Sequence, residues 1–352
     1  MPRLSHTLDL TPVDRGDVAR AVSAVHEVLR SARFDDTGEL ILPTEQESER
    51  LERRAEELGI VPAEAEREER ERRNQARLAD LPDPEQPAGA PGCDTERELW
   101  EQDRSDEAAV RAATLTLRLL SGEHLVPGST YLATEVDADG EPLFAEGGEG
   151  WLGTDLTVTA WDESGVCSVD FSMREDAASA EDGAPPVTTG SVVHDRAEQT
   201  LTVHADMRFP MESAMARWGS SLLRARITAR VELRGWFAAA AGGATAPPVT
   251  LEVEHRLVRA HGEVVPAPGP NGLWSVSGDL NVRGRGLARP LVAAVFWALV
   301  RSVRRADSVS VAEHSAELAR GWDDLARALP ELPGFFGEVA ESLATARPRS
   351  RG

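Results

Sequence analysis

From about residue 105 onward the chain repeats one device: a run in which apolar and polar residues alternate, closed by a cluster of turn residues. "TYLATEV" precedes "DADG", "DLTVTAW" precedes "DESG", and "VCSVDFSM", "GSVV" before "HDRAEQ", and "TLTVHADM" follow. Alternation with period two marks a strand with one dry and one wet face, and turns this closely spaced leave no room for crossover helices. The arrangement that meets both conditions is an antiparallel meander. Three longer strands are predicted at residues 222 to 237, 249 to 259 and 272 to 284. In the first, Leu223, Ala225, Ile227, Ala229, Val231 and Leu233 share one face while Arg224, Arg226, Arg230 and Arg234 occupy the other. In the last, Trp274, Val276, Gly278, Leu280 and Val282 form the inner row. A helix is expected at "DEAAVRAATLTLRLL", ahead of the meander, and a shorter one at "MESAMARWG".

The final strand runs through "VRGRGLARP" into eleven residues without a charge, Pro290 to Val300. This is not a dinucleotide loop, because the third glycine of G-x-G-x-x-G is missing and the neighbouring strands are antiparallel. Nor is it a membrane span, since eleven residues rise roughly 16 Å as a helix against a hydrocarbon core of about 30 Å. With Leu291, Val292, Val295, Phe296, Trp297 and Leu299 covering nearly its whole circumference, such a helix is expected to be buried across the sheet, with Pro290 in its first turn.

The order helix, antiparallel meander, then a last strand leading through "VRGRGLARP" into a long apolar helix resembles the helix-grip proteins of the START and polyketide-cyclase type, over about residues 105 to 306. The resemblance implies an α+β fold in which a curved sheet grips the C-terminal helix and holds a small apolar molecule between them, with no cofactor. On that plan the pocket is lined by Ile227, His255, Trp274, Val276 and Leu280 from the sheet and by Val295, Phe296 and Leu299 from the helix. Two features depart from the pattern: no strand is evident ahead of the first helix, and the N-terminal region is extra. A lipocalin-like eight-stranded barrel is the alternative architecture.

Residues 1 to 80 are expected to form a charged helical arm. Val18, Val22, Val25 and Leu29 make one apolar stripe on a helix within residues 12 to 32. Thr44 with Glu47 forms a capping box, and Gly59 supplies a left-handed stop, which brackets a helix at 45 to 58. "AEAEREERERRNQARLADL" is charged around most of its surface and held mainly by Glu/Arg pairs. Prolines and glycines mark a linker over residues 81 to 104. Helices and a disordered tail are expected over 307 to 352. There Val311, Leu318 and Leu325 recur every seven residues, with Ser315, Trp322 and Leu329 beside them.

Sixty acidic residues against 38 basic ones, all arginine, set the net charge at -22, which disfavours nucleic acid and anionic membranes as partners. Cys93 and Cys167 are the only cysteines, too few for a disulfide framework or a four-cysteine zinc site, and a cytoplasmic location is expected. The N-terminus lacks the apolar core of a signal peptide.

Few residues point to chemistry. His255 shares the parity of Val249, Leu251 and Val253, so it is expected to face inward, either hydrogen-bonded in the core or as the one defensible acid/base candidate. Cys167 reads as a small buried hydrophobe. His204 with Asp206, and His194 with Asp195, would make a metal site only if they converged; solvated strand residues are the simpler reading. "DADGE", Asp137 to Glu141, begins like a calcium loop but lacks its later ligands. The arginine row either receives an acidic partner or pairs across strands with Glu252 and Glu254. The functional expectation is non-catalytic binding of a small apolar ligand. The alternative is a regulatory protein that binds a partner, or itself, through its helical arm and C-terminal helices.

Overall fold

A computed structural model describes residues 3–61, 72, 114–136, 153–174, 188–208, 224–243, 246–285 and 308–347. Eleven strands form one open antiparallel sheet: β1 (Arg3–Leu10), β2 (Thr114–Ser121), β3 (Thr130–Val136), β4 (Gly153–Trp161), β5 (Val166–Arg174), β6 (Thr188–Asp195), β7 (Thr200–Arg208), β8 (Arg224–Glu232), β9 (Val249–His255), β10 (Val258–Pro268) and β11 (Trp274–Gly284). Their order is β1-β11-β10-β9-β8-β7-β6-β5-β4-β3-β2. The meander from β2 to β11 is therefore uninterrupted, and the first strand adds beyond the last. β1 and β2 are opposite edges, so the sheet does not close and the barrel alternative fails.

Three strands are additions to the sequence reading. β1 supplies the strand expected to be absent ahead of the first helix: "RLSHTLDL" alternates, and its register with β11 runs from Arg3 opposite Asn281 to Leu10 opposite Trp274. β2 replaces the second half of the helix expected at "DEAAVRAATLTLRLL"; threonines and leucines alternate in "TLTLRLLS", and β preference with pairing to β3 outweighs the alanines before it. β9 and β10 are a hairpin where one strand was expected at 249 to 259, because Arg256 and Leu257 turn the chain without the glycine that usually announces such a turn. The strand beginning at 222 also ends sooner, at Glu232. "LRGWFAAA" continues as helix, its alanines favouring that state and Trp236, Phe237 and Ala240 reaching the sheet.

Five helices lie among the described residues: α1 (Arg15–Ser31), α2 (Glu45–Glu57), α3 (Leu233–Ala240), α4 (Ser308–Ala328) and α5 (Leu332–Thr345). α1 is capped by Asp14, whose carboxylate accepts from the amides of Gly16 and Asp17. α2 carries the expected capping box between Thr44 and Glu47, and Gly59 follows it at φ 69°. The residues that α1 buries differ from the expected valine stripe. Ala21, Ala24 and His26 are buried, while Val25 and Leu29 are 41% and 38% exposed. Small side chains win because α1 lies close against α5 as well as the sheet.

The register gives every strand one apolar face, and the helices pack on that face. Trp236 and Phe237 of α3 and Trp322 of α4 surround Trp274 with ring centroids 5.8 to 6.4 Å apart. A second cluster joins Ala21 of α1 to Ala328, Leu329 and Leu332 at the α4–α5 corner. Both clusters sit toward the end of the sheet where β1 finishes and β11 begins. The expected apolar helix at 290 to 300, the charged helix at 63 to 81 with the exception of Arg72, the linker and "MESAMARWG" fall outside the described residues.

Candidate functional site

Beside the Trp274 cluster, the apolar face of β1, β11, β10 and β9 bears a hollow of about 260 Å³. Two glycines create it. Gly278 of β11 faces His6 of β1 on one side and Val264 of β10 on the other, and Gly262 of β10 lies between Leu280 and Leu251. Where neighbouring positions carry Leu or Val, these two carry nothing, so the face dips. Leu4, Leu280, Leu251 and Val249 complete an apolar lining, and His6 brings an imidazole to it. A shallow apolar depression of this kind is suited to hydrocarbon contact and offers little directional hydrogen bonding.

The residues expected from sequence divide between this hollow and its surroundings. Leu280 lines it. Trp274 and Val276, 8% and 7% exposed, belong to the solid aromatic cluster beside it. Ile227 is half-buried on the same face, in β8, paired with Val253. His255 ends β9 half-buried, and its Nδ1 accepts the backbone N–H of Leu257 at 3.2 Å, which fastens the β9–β10 turn. Val295, Phe296 and Leu299 lie outside the described residues, as does Asp137 to Glu141.

The metal candidate separates for a geometric reason. His194 opposes Leu201 and so lies on the apolar face, whereas His204 opposes Ser191 on the polar face. His204 Nδ1 lies 3.1 Å from the Thr228 hydroxyl, and Asp206 accepts from Arg226 at 3.1 Å. Among the described residues no group of three or more His, Cys, Asp or Glu side chains is placed to hold a metal. Cys167 is buried, and burial pushes its thiol above the ordinary range, as expected of a packed hydrophobe.

On the polar face the arginine row is neutralised in part by a different partner from the one expected. Arg226 pairs with Asp206 of β7, while Glu252 and Glu254 are held by Arg259, 3.9 and 3.6 Å away, and Glu254 also by Arg285 at 3.2 Å. His261 Nε2 donates to the Glu263 carboxylate at 2.8 Å. These pairs are solvent-exposed and laid along strands, which organises the wet face without concentrating charge.

Two groups were missed by sequence reasoning. Tyr131, the chain's single tyrosine, is 4% exposed, and its hydroxyl accepts the N–H of Leu125 at 2.7 Å and lies 3.0 Å from His124 Nδ1. His124 Nε2 in turn donates to the Leu29 carbonyl at 2.7 Å, so the β2–β3 loop is bolted to the end of α1. His26 is the other, buried on α1 against Trp161 and His194. Only the rarity of tyrosine and the position of His26 within an amphipathic helix were available as signals.

No helix among the described residues is long and apolar enough to cross a membrane. No family model, curated protein or solved structure matches the chain.

Proposed function

We propose that the protein binds a small apolar ligand on the hollow of β1, β11, β10 and β9, with residues 290 to 300 as the cover, in the manner of the helix-grip proteins. The observation that carries this reading is the apolar hollow itself, formed where Gly262 and Gly278 interrupt a face otherwise paved with Leu and Val. Three further features support it. The first strand flanks the last, with α1 and α2 between β1 and β2, an order that supports the likeness to the helix-grip pattern. The described helices cover the apolar face toward one end only. The chain leaves β11 at the other end, and the sequence beyond it carries eleven residues without a charge, Pro290 to Val300, most of them apolar and suited to covering the uncovered half. No residue at the hollow is assigned a catalytic role.

Native mass spectrometry of the purified full chain tests the proposal directly, looking for a co-purified apolar molecule. Titration with a fluorescent apolar probe gives the second readout. Saturable one-site binding supports it; absence of any bound mass together with non-saturable probe uptake overturns it.

A second reading, self-association through α4, is favoured by one observation. Leu318 and Leu325, seven residues apart, are 67% and 47% exposed, whereas Trp322 and Leu329 beside them dock within the chain, Trp322 Nε1 donating to the Thr11 carbonyl at 2.7 Å. Light scattering of wild type and Leu318→Asp decides it: a dimer that dissociates in the variant supports the reading, and a wild-type monomer at all concentrations removes it.

A further inference from the structure

The sheet end of α1 is held by imidazole against imidazole. His26, 7% exposed, reaches from α1 onto the apolar face, where its ring centroid lies 5.5 Å from that of His194 on β6 and 5.8 Å, edge-on, from the Trp161 ring on β4. The Nδ1 of His26 is buried with no hydrogen-bond partner. Cys167 of β5 stands between the two strands, opposite both Trp161 and His194. Burial lowers the proton affinity of both imidazoles, and a charge on His26 lowers that of His194 further.

The charges around the pair come from each element packed there. Glu163, in the β4–β5 turn, favours a cation on His26, but it is shared with Arg30 of α1 at 3.4 Å. Arg196, in the β6–β7 turn, opposes a cation on either ring, and Arg30 opposes one on His26. Asp195 favours one on His194.

We infer that His26 and His194 form an acid-sensitive latch: neutral, the two rings hold α1 on β4–β6, and protonated, they drive the C-terminal half of α1 off the sheet. A cation nine-tenths removed from water and lacking a partner at Nδ1 is expelled toward solvent, and a second cation 5.5 Å away adds repulsion. The N-terminal half of α1 stays anchored, because Val18 and Ala21 pack in the separate cluster with Leu329 and Leu332, whereas opening of the C-terminal half also parts the His124–Leu29 carbonyl bond, the Arg196–Ser23 bond and the Arg30–Glu163 pair. Opening uncovers Trp161 and Cys167, adding a patch of apolar sheet to the surface. The sign follows from linkage. An imidazole held below its ordinary value of 6.5 in the closed form regains that value on opening. The closed form is then fully stable above that pH and loses stability as the pH falls below it toward the depressed closed-state value.

The test uses the full chain with Cys93→Ser, leaving Cys167 as the single thiol. Its rate of reaction with 4,4′-dithiodipyridine is measured at pH 7.5 and 5.5 and divided by the rate of the urea-unfolded chain at the same pH, which removes the thiolate fraction. The normalised rate is expected to rise at least tenfold on acidification, and His26→Gln with His194→Gln is expected to abolish the rise. Hydrogen exchange of the unmutated chain needs no variant: protection over residues 22 to 31 should fall at pH 5.5 while that of β8 and β9 persists. A flat thiol rate, an undiminished rise in the double variant, or simultaneous loss of protection across the sheet overturns the latch.

Discussion

Replacing Gly278 by valine separates filling the hollow from folding the sheet. Gly278 lies within β11 on the apolar face, and a Cβ built there meets no atom within 4 Å. Its backbone is ordinary strand, so valine enters without strain. Glycine within a strand forfeits about 0.5–1 kcal/mol of backbone entropy relative to alanine, and valine adds β preference on a scale that spans ~1 kcal/mol. The variant should therefore be more stable by about 1 kcal/mol, read as a higher urea midpoint at unchanged slope. The same methyl groups occupy a hollow of only about 260 Å³, so apolar-probe affinity should fall tenfold or more. That fall is about 1.4 kcal/mol in binding free energy. Gly190 is the control. It shares the apolar face, in β6, but a Cβ there falls against the His204 carbonyl and 2.5 Å from Phe171 Cζ. Gly190→Ala should cost about 1–3 kcal/mol and leave probe affinity per folded molecule unchanged. A Gly278→Val protein that is less stable than wild type, or that binds the probe equally well, refutes the reasoning.

Three other substitutions probe what holds the frame. Tyr131→Phe strips the hydroxyl that receives the Leu125 amide and contacts His124, and should cost about 2–3 kcal/mol in urea unfolding, since a polar group is left without its partner. Thr44→Ala removes the α2 capping box and should cost about 1 kcal/mol by the same assay. Asp206→Ala breaks a pair whose side chains are 63% and 64% exposed, and should shift stability by less than about 0.5 kcal/mol.

What was legible in the chain was whatever is settled between near neighbours. The alternation of β8, with Ala225, Ile227 and Ala229 on one side and Arg224 and Arg226 on the other, reads directly because the pleat has period two whatever the strand pairs with. The Thr44–Glu47 box reads for the same reason, its partners lying within one helical turn. The β9–β10 hairpin escaped because Arg256 and Leu257 carry no turn chemistry of their own; the pairing of Val253 with Ala260 decides it instead.

Local spacing thus determined that this chain would lay down antiparallel strands with one dry face, since side-chain direction is a property of each strand alone. Only the assembled sheet decided that Arg3–Leu10 would lie beside Trp274–Gly284, that two glycines on adjacent strands would open a hollow, and that His26 rather than Val25 would turn inward. Each of those outcomes depends on atoms brought together from distant parts of the chain, and burial is shared out by that meeting rather than by periodicity.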